Sequence, residues 1–263
     1  MNQRLREKTV LVTGASGGLG KQIARYAARD CKQIILLARN EEKLRKLKEE
    51  LEKQYRLNVV LLPFDMKRYA ELPAYFAEKL PDVTVDVLVN NAGIGKFKTV
   101  MDLSMEEVQE MLDVNFLSLV TITKLLLPKM IEQGSGHIIN IASQGGKMVT
   151  PKASIYGASK KAVLGFSDGL RMEVRPKGIF VTAVNPGPMK TNFFDYADET
   201  GQYLNNVGPW VLQVDTVAKK VVQKMMTDTR EMNMPLWMNS ISKLHTLFPG
   251  LIEWIGRPAF YKK

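Results

Sequence analysis

Cysteine and histidine are the scarcest reactive side chains of this sequence. Cys31 is the single cysteine among 263 residues, which excludes a disulfide within the chain and is compatible with a reducing compartment. The two histidines, His137 and His245, lie far apart and show no metal-binding spacing. We therefore predict no metal site, and we expect both histidines to be structural.

Long hydrophobic runs are absent as well. No stretch reaches the roughly 18 consecutive apolar residues that a membrane-spanning helix needs. The N-terminal residues MNQRLREKTV are polar and lack the apolar core of a secretory signal. These two absences lead us to expect a cytoplasmic protein.

Acidic residues are in deficit, because 27 Asp and Glu residues stand against 37 Lys and Arg residues and give a formal net charge of +10. A basic balance can indicate nucleic acid, an anionic membrane or acidic ligands. Residues 41–56 concentrate charged side chains, but acids and bases alternate there as on an exposed helix. The sequence has no clustered basic stripe with interleaved aromatic residues, so nucleic-acid binding is not expected.

Short apolar runs that alternate with helical patterns predict the fold. The runs occupy residues 8–13, 33–38, 58–63, 85–90, 136–142 and 179–184, with a last edge strand at 232–237; the helical patterns occupy 18–30, 41–56, 69–80, 104–133 and 153–176. Nearly continuous apolar strands are typical of a parallel sheet covered on both faces, and the βαβ order predicts a doubly wound sheet. Pro128 is expected to kink or end the fourth helix. We expect residues 1–263 to form one domain.

A glycine-rich sequence, TGASGGLG at residues 13–20, follows the first strand and opens the first helix. Gly14 permits a tight turn, Gly18 lets the backbone approach a pyrophosphate, and Gly20 allows close packing of helix on sheet. The helix N-terminus offers unpaired N–H groups to phosphates. A turn that merely needs glycine is the alternative, and the βαβ context favours nucleotide binding.

A second pattern places Tyr156 and Lys160 four residues apart in a helical stretch of small residues. One helical turn brings the phenol and the ammonium onto the same face. A nearby ammonium favours the phenolate and lowers the pKa of the phenol, which prepares Tyr156 for proton transfer. A half-buried packing role for the tyrosine is the alternative interpretation.

These two motifs and four others, in this order along the chain, resemble the short-chain dehydrogenase/reductase family. The six are TGASGGLG (13–20), NNAG (90–93), Asn115, Ser143 after the fifth strand, Tyr156 with Lys160, and NPG (185–187) with Thr191 just beyond. The resemblance covers roughly residues 8–191 and is expected to include the last helix–strand unit. It implies a Rossmann-type α/β domain of about seven strands, in the order 3-2-1-4-5-6-7, with helices on both faces. It also implies an oxidoreductase that interconverts a carbonyl and a secondary alcohol.

The resemblance assigns roles to individual residues. Tyr156 is the acid/base, Lys160 lowers its pKa and holds the nicotinamide ribose, Ser143 binds the substrate oxygen, and Asn115 anchors a water for proton relay. From the residues alone, a turn-forming role is favoured for Ser143, and satisfaction of local backbone groups is favoured for Asn115. The expected cofactor-binding residues are Gly14, Ser16, Gly18, Leu19, Gly20, Arg39, Asp65, Asn91, Ala92, Gly93, Tyr156, Lys160, Pro186, Gly187 and Thr191.

Two of these residues bear on the adenosine half of the cofactor. By resemblance, Asp65 contacts the adenine, although a turn or helix-cap role is the alternative. An enzyme that prefers NAD usually has an acidic residue at the end of the second strand, where this chain has Ala38 followed by Arg39. Since Arg can pair with a 2′-phosphate, we favour NADP over NAD.

The segment 188–215 is expected to form a substrate lid. Its aromatic residues, together with a short stretch after Ser143, are candidates for the walls of an apolar pocket or for ordinary packing under a long loop: Phe193, Phe194, Tyr196, Tyr203 and Trp210 on one side, and Lys147, Met148 and Val149 on the other. An aromatic lid favours a hydrophobic ketone or alcohol.

The tail, residues 239–263, is amphipathic and basic. Ile241, Leu244, Leu247 and Phe248 fall on one helical face, and residues 241–263 carry a net charge of +3, since four Lys and Arg residues stand against Glu253. Three interpretations remain open: contact of 241–263 with an anionic membrane, cover of the substrate cleft, and packing against another subunit.

The sequence as a whole predicts an NADP-dependent oxidoreductase, most simply a reductase of a hydrophobic ketone or acyl-type substrate. The alternative is an NADP-binding regulatory or scaffold protein without turnover. The long helices at 113–133 and 153–175 resemble those that pair subunits in the family, which implies a homodimer or homotetramer.

Overall fold

The computed structural model describes residues 2–198, 201 and 208–260. Within this part of the chain, seven parallel strands form one sheet in the order β3-β2-β1-β4-β5-β6-β7. The strands are β1 Thr9–Thr13, β2 Gln33–Ala38, β3 Asn58–Pro63, β4 Val87–Asn90, β5 Gly136–Ile141, β6 Ile179–Pro186 and β7 Glu231–Met234. Every strand predicted from the sequence is present, and the predicted order is confirmed.

Helices connect the strands and continue beyond the last one. In chain order they are α1 Gly18–Ala28, α2 Glu41–Gln54, α3 Leu72–Lys79, α4 Met105–Leu112, α5 Ser118–Glu132, α6 Gln144–Lys147, α7 Ser154–Val174, α8 Phe193–Ala197, α9 Val214–Lys224, α10 Leu236–Leu247 and α11 Pro249–Phe260. Short 3₁₀ helices lie at Gln3–Leu5, Met66–Glu71, Arg175–Lys177 and Gly208–Trp210.

Two hydrophobic cores sandwich the sheet. Alternate residues of β1 point to opposite faces, so Val10 and Val12 lie in one core and Leu11 lies in the other. The first core contains side chains of α1, α2 and α9, and the second contains side chains of α3, α5 and α7. Burial on both faces explains why the strands are apolar at nearly every position.

The order of the strands in the sheet indicates where a ligand is expected to bind. Val12 pairs in parallel with Leu36 of β2 on one side and with Val89 of β4 on the other. From β1 the chain adds β2 and β3 on one side of the sheet, and then β4 to β7 on the other side. The point where the strand order reverses therefore lies between β1 and β4. In open parallel sheets, ligands bind at this point, beyond the carboxyl ends of the strands.

Buried amides join the central strands to the helices beneath the site. Asn140 of β5 accepts a hydrogen bond from Asn90 of β4 at 2.9 Å and donates one to the hydroxyl of Ser167 in α7, also at 2.9 Å. Asn90 donates a further bond to the hydroxyl of Thr123 in α5. These bonds fix the depth of both strands relative to α5 and α7.

The helical segment Met105–Glu132 is, among the described residues, the one helix long and apolar enough to cross a membrane by length and composition. Here it packs on the sheet, because Ile122, Leu126 and Met130 are buried in the second core. Pro128 does not end this helix, contrary to one of the two expectations, since α5 continues to Glu132. A kink at Pro128 stays a prediction. Pro128 lies on the exposed side, where water can satisfy the carbonyl that its missing N–H leaves free.

Candidate active site

A cavity of about 1540 Å³ opens at the carboxyl edge of the sheet. Of the residues predicted to bind the cofactor, all but Gly20 line it, and so does Ser143. Asn115 and Gly20 lie just behind its wall. A single ligand pocket usually measures roughly 300–1,000 Å³, so this cavity has room for a dinucleotide and a substrate side by side.

The glycine loop between β1 and α1 has the conformation that the sequence predicts. Gly14 has a φ of +66°, which favours glycine, and a Cβ atom added there would lie 2.8 Å from Asn91 Nδ2. Gly20 packs so closely on Asn91 that a Cβ atom would collide with its amide. Helix α1 starts from Gly17, which provides no side-chain cap, so the N-terminal N–H groups are available to an anion.

The side chains of Thr13 and Asn91 tie the loop after β4 to the end of β1, where the glycine loop begins. The hydroxyl oxygen of Thr13 accepts hydrogen bonds from the backbone N–H groups of Asn91 and Ala92, both at 2.9 Å. The Asn91 amide in turn donates to the Thr13 carbonyl at 2.9 Å. Both walls of the nucleotide site are thus held in one arrangement before any ligand binds.

Tyr156 lies in the first turn of α7, and its half-buried phenol adjoins Ser143. Burial raises the pKa of Tyr156, and a hydrogen bond with the Ser143 hydroxyl lowers it by a smaller amount. Ser143 also caps the short helix α6, because its hydroxyl oxygen accepts from the Gly145 N–H at 3.0 Å. The turn-forming role and the position beside Tyr156 therefore belong to the same residue.

The pKa of Tyr156 is raised overall in this structure, contrary to the lowering by Lys160 that the sequence led us to expect. The Lys160 side chain is engaged elsewhere. Its ammonium is buried and donates to the Ile141 carbonyl at 2.9 Å. Burial lowers the pKa of Lys160 itself to about 8. A Cβ atom added to Gly93 would lie 3.2 Å from the Lys160 Nζ, so this ammonium adjoins the backbone of the loop after β4.

Asn115 lies in a π-helical turn, Asp113–Leu117, between α4 and α5. Its side-chain oxygen accepts from the Ile94 N–H at 2.8 Å, and its Nδ2 donates to the Ile94 carbonyl and to the Ser159 hydroxyl, both at 2.9 Å. Both amide hydrogens are therefore used inside the protein. The local backbone role that the sequence left open is the one observed for this side chain.

Arg39 and Asp65 line the adenosine end of the cavity. Arg39 is exposed at the end of β2, and Lys43 lies one helical turn further along on the same wall. Asp65 caps the 3₁₀ helix Met66–Glu71 by accepting from the Lys67 N–H at 3.1 Å, which is the helix-cap alternative. The two cations and the absence of an acid at Ala38 make this end of the cavity electropositive.

Aromatic rings enclose the cavity around Tyr156. The ring centroid of Phe193 lies 5.7 Å from that of Tyr156, and the ring of Phe97 lies 5.8 Å from it. Phe194 extends the cluster, at 5.2 Å from Phe193. Gly95 leaves room for these rings, since a Cβ atom there would lie 2.7 Å from Phe193.

The predicted pocket walls are confirmed in part. Phe193, Phe194, Trp210 and Met148 line the cavity. Three other candidates do not: Tyr196 stacks under the Lys96 ammonium, Val149 packs on Gly157, and Lys147 pairs with Glu231. Tyr203 lies outside the described residues, as does part of the segment 188–215.

Sequence reasoning missed several cavity residues. Phe97 follows the NNAG motif by four residues, and its place in a loop after a central strand was the available signal. Trp237 contacts Trp210 with ring centroids 5.0 Å apart, and Met238 packs over Gly187. Gln144, buried next to Ser143, also faces the cavity and carries no local signature.

The arrangement can bind an anionic dinucleotide and can transfer a proton. The uncapped helix and the electropositive end fit phosphates, and the half-buried hydroxyls of Tyr156 and Ser143 fit proton exchange with a substrate oxygen. Residues 8–202 match the short chain dehydrogenase family. The chain belongs to this family.

One relative is similar along nearly the whole chain, and several others are similar along 72% of it. A ketoacyl reductase named HetN, from Nostoc sp., is 34% identical over 276 residues, which cover 98% of this chain and 93% of that protein. Animal relatives named dehydrogenase/reductase SDR family member 7B are longer, and the matched region spans 59–63% of their length. With these relatives and the family match, the chain is an oxidoreductase of the short-chain type.

Solved structures share the fold. A short-chain dehydrogenase from Sphingobium yanoikuyae in complex with NADPH is 29% identical, covers 92% of this chain and 96% of its own, and superposes with a TM-score of 0.81. A family member from Burkholderia phymatum in complex with NAD is 22% identical, with a TM-score of 0.85 and coverages of 95% and 96%, and it shows the fold alone. Neighbours thus bind either nicotinamide cofactor.

Proposed function

We propose that the protein is an NADPH-dependent reductase of a hydrophobic ketone or acyl-type substrate. The observation that carries this proposal is the half-buried phenol of Tyr156, which adjoins the Ser143 hydroxyl and is walled by Phe97 and Phe193. Hydroxyls in an apolar chamber bind a carbonyl oxygen and leave an apolar substituent against the rings.

The direction of the reaction follows from protonation. Burial raises the pKa of Tyr156, so the phenol holds its proton at neutral pH and is suited to donate it. A bound nicotinamide cofactor supplies the hydride to the carbonyl carbon. Tyr156 then gives its proton to the carbonyl oxygen, and Ser143 positions that oxygen by hydrogen bonding. The product is the alcohol.

The choice of NADP rests on charge at the end of β2. Arg39 and Lys43 flank the site, and Ala38 leaves no carboxylate to bind a free 2′-hydroxyl or to repel a phosphate. HetN, the ketoacyl reductase to which the chain is similar, and the aromatic wall support substrates of the 3-oxoacyl type and other hydrophobic ketones.

Steady-state kinetics with both cofactors test the proposal. We expect kcat/KM with NADPH to exceed that with NADH, and Arg39→Asp to lower the NADPH value by about 10- to 100-fold while sparing NADH, since a charge-assisted bond is lost. Arg56→Asp is the matched control, because Arg56 is an exposed arginine beyond the opposite end of α2. A wild-type preference for NADH would refute the NADP assignment.

A substrate panel tests the second half of the proposal. Linear ketones and 3-oxoacyl thioesters of increasing chain length should show falling KM, whereas polar sugar ketones of similar size should react poorly. Tight NADPH binding without turnover of any panel member would favour the regulatory or scaffold alternative.

We also propose that the protein self-associates through α5 and α7. Support comes from partly buried apolar side chains on these helices and on the π-helical turn before α5. Phe116 of that turn meets Phe166 of α7 edge to face at 6.2 Å, beside Val120 and Leu164. Light scattering coupled to size exclusion should give a dimer or tetramer, and Phe166→Glu should shift it toward the monomer. A wild-type monomer at micromolar concentration would refute this.

A further inference from the structure

The two C-terminal helices expose an unusual amount of apolar surface. Helices α10 and α11, here called the C-terminal hairpin, turn large side chains outward: Leu236, Leu244, Leu247, Phe248, Leu251 and Trp254. Trp254 is 74% exposed and Leu247 is 69% exposed. Exposed apolar residues scattered singly are normal on a soluble protein, but a run of them on adjoining helices marks an interaction surface.

The inner side of the hairpin already has a partner. Met238, Ile241 and Ile252 face the cavity, and the His245 ring meets the Glu253 carboxylate at 3.1 Å between the two helices. Covering the cleft, one of the three interpretations of the tail, therefore accounts for the inner residues. It does not account for the outer ones, which face away from the cleft.

The charges around the outer face are positive. Lys243 is exposed on the same side of α10 as Leu236 and Leu247, seven and four residues away, and Arg257 is exposed on α11. Glu253 is the single acidic residue from position 236 to the end of the chain, and it meets His245. The sequence adds Lys262 and Lys263 beyond the described residues.

We propose that the outer face of the C-terminal hairpin docks on an anionic lipid surface. A tryptophan and leucines flanked by Lys and Arg form the pattern by which amphipathic helices lie in the interface of an anionic bilayer. A second copy fits this face less well, because a twofold contact would bring Lys243 and Arg257 toward the same positive charges of the partner. Docking does not depend on the proposed reaction.

Vesicle sedimentation tests the docking surface directly. The full chain is mixed with vesicles of phosphatidylcholine alone and with vesicles containing about 30% phosphatidylglycerol, and the bound fraction is measured. We expect binding to the anionic vesicles and at least tenfold weaker partitioning for the double variant Leu247→Glu with Trp254→Glu. Met101→Glu is the matched control, since Met101 is equally apolar and exposed but lies far from the hairpin in sequence.

Two further measurements separate the outcomes. Retained NADPH binding and an unchanged melting temperature show that the double variant is folded. Lys243→Gln with Arg257→Gln should weaken binding to anionic vesicles and leave any binding to neutral vesicles unchanged. Absence of vesicle binding by the wild type, equal loss in Met101→Glu, or a dimer that the double variant converts to a monomer would each overturn the proposal.

Discussion

The Lys147 ammonium lies 2.6 Å from Glu231 Oε2 and 2.8 Å from Asn239 Oδ1. One side chain thereby joins α6, which begins directly after Ser143, to β7 and to α10. Burial raises the pKa of Glu231, but hydrogen bonds from Lys147 and Asn233 and the attraction of the Lys147 charge outweigh it, so that the pKa is lowered overall. The pair therefore couples the Ser143 turn to the C-terminal part of the fold.

Replacing Lys147 should loosen this connection. We expect Lys147→Met to lower the free energy of unfolding by about 1–2 kcal/mol, because the partly buried Glu231 loses its main partner. The shift of α6 should also reduce kcat/KM by about tenfold while the Kd for NADPH stays constant. Urea denaturation and steady-state kinetics measure both effects.

Lys48→Met is the matched control for that substitution. Lys48 lies 3.5 Å from Glu52 in an exposed i,i+4 pair of α2, and such pairs contribute roughly 0.5 kcal/mol or less. Equal effects of the two substitutions would contradict the proposed connection.

Removal of the Tyr156 hydroxyl should abolish the chemistry and spare binding. General acid catalysis contributes about 10²- to 10⁴-fold, so Tyr156→Phe should lower kcat by that factor. Fluorescence titration should give an unchanged Kd for NADPH, since the ring remains in place. Tyr55→Phe, at the far end of α2, is the control and should retain full activity. Comparable turnover by the two variants would remove Tyr156 from the proposed mechanism.

Lys160 should make the free energy of unfolding vary with pH in the alkaline range. Its pKa is about 8 in the folded protein and 10.5 in the reference state, so the unfolded chain binds the proton more tightly. Stability should therefore rise with pH between about 8 and 10.5, by on the order of 1 kcal/mol per pH unit.

The slope attributable to Lys160 is the difference between wild type and Lys160→Met, in which other titrating groups cancel. Urea denaturation at several pH values from 7 to 10.5 provides it. A difference that stays constant over this range would show that the ammonium is not desolvated.

His137 should be the main cause of the loss of folding stability at acidic pH. Burial lowers its pKa from 6.5 to about 3, and both ring nitrogens are bonded: Nδ1 accepts from the Met226 N–H and Nε2 meets the Thr182 hydroxyl, both at 2.8 Å. The unfolded chain binds a proton below pH 6.5 while the folded protein does not. Stability should hence fall as pH falls from 6.5 toward 3, by on the order of 1 kcal/mol per unit.

Thermal melts from pH 7 to 4 compare the wild type with His137→Asn. The variant should start less stable and show a smaller loss of stability as the pH falls. An equally steep slope in His137→Asn would assign the acid sensitivity to other groups.

The strands were predictable because a strand that is buried on both faces has apolar residues at nearly every position. Val10, Leu11 and Val12 all face a core, so the run is apolar whichever way each side chain points. Helix starts were less predictable. The third helical pattern was expected from residue 69, whereas α3 begins at Leu72, after a 3₁₀ turn capped by Asp65. That turn depends on local hydrogen bonds which a hydrophobic period does not record.

The residues of the candidate active site also fall into those that the sequence predicts and those that it does not. Gly14, Asn91 and Tyr156 were predictable because each follows a strand or opens a helix in a recognisable motif. The Lys147–Glu231 pair joins residues 84 positions apart, and no local pattern announces it. The pKa of Tyr156 was mispredicted because helical spacing gives proximity to Lys160 but not the desolvation of the phenol or the Ile141 carbonyl that binds the ammonium.

The double acceptance by the Thr13 hydroxyl has a consequence for how this protein can change. The two turns that it brackets cannot be altered separately, because a shift of either one breaks bonds that position the other. A substitution at Asn91 that changes the stability of the fold would thus also change the affinity for the nucleotide. A substitution that increases this affinity would likewise change thermal stability. Stability and cofactor affinity are therefore coupled at these two turns.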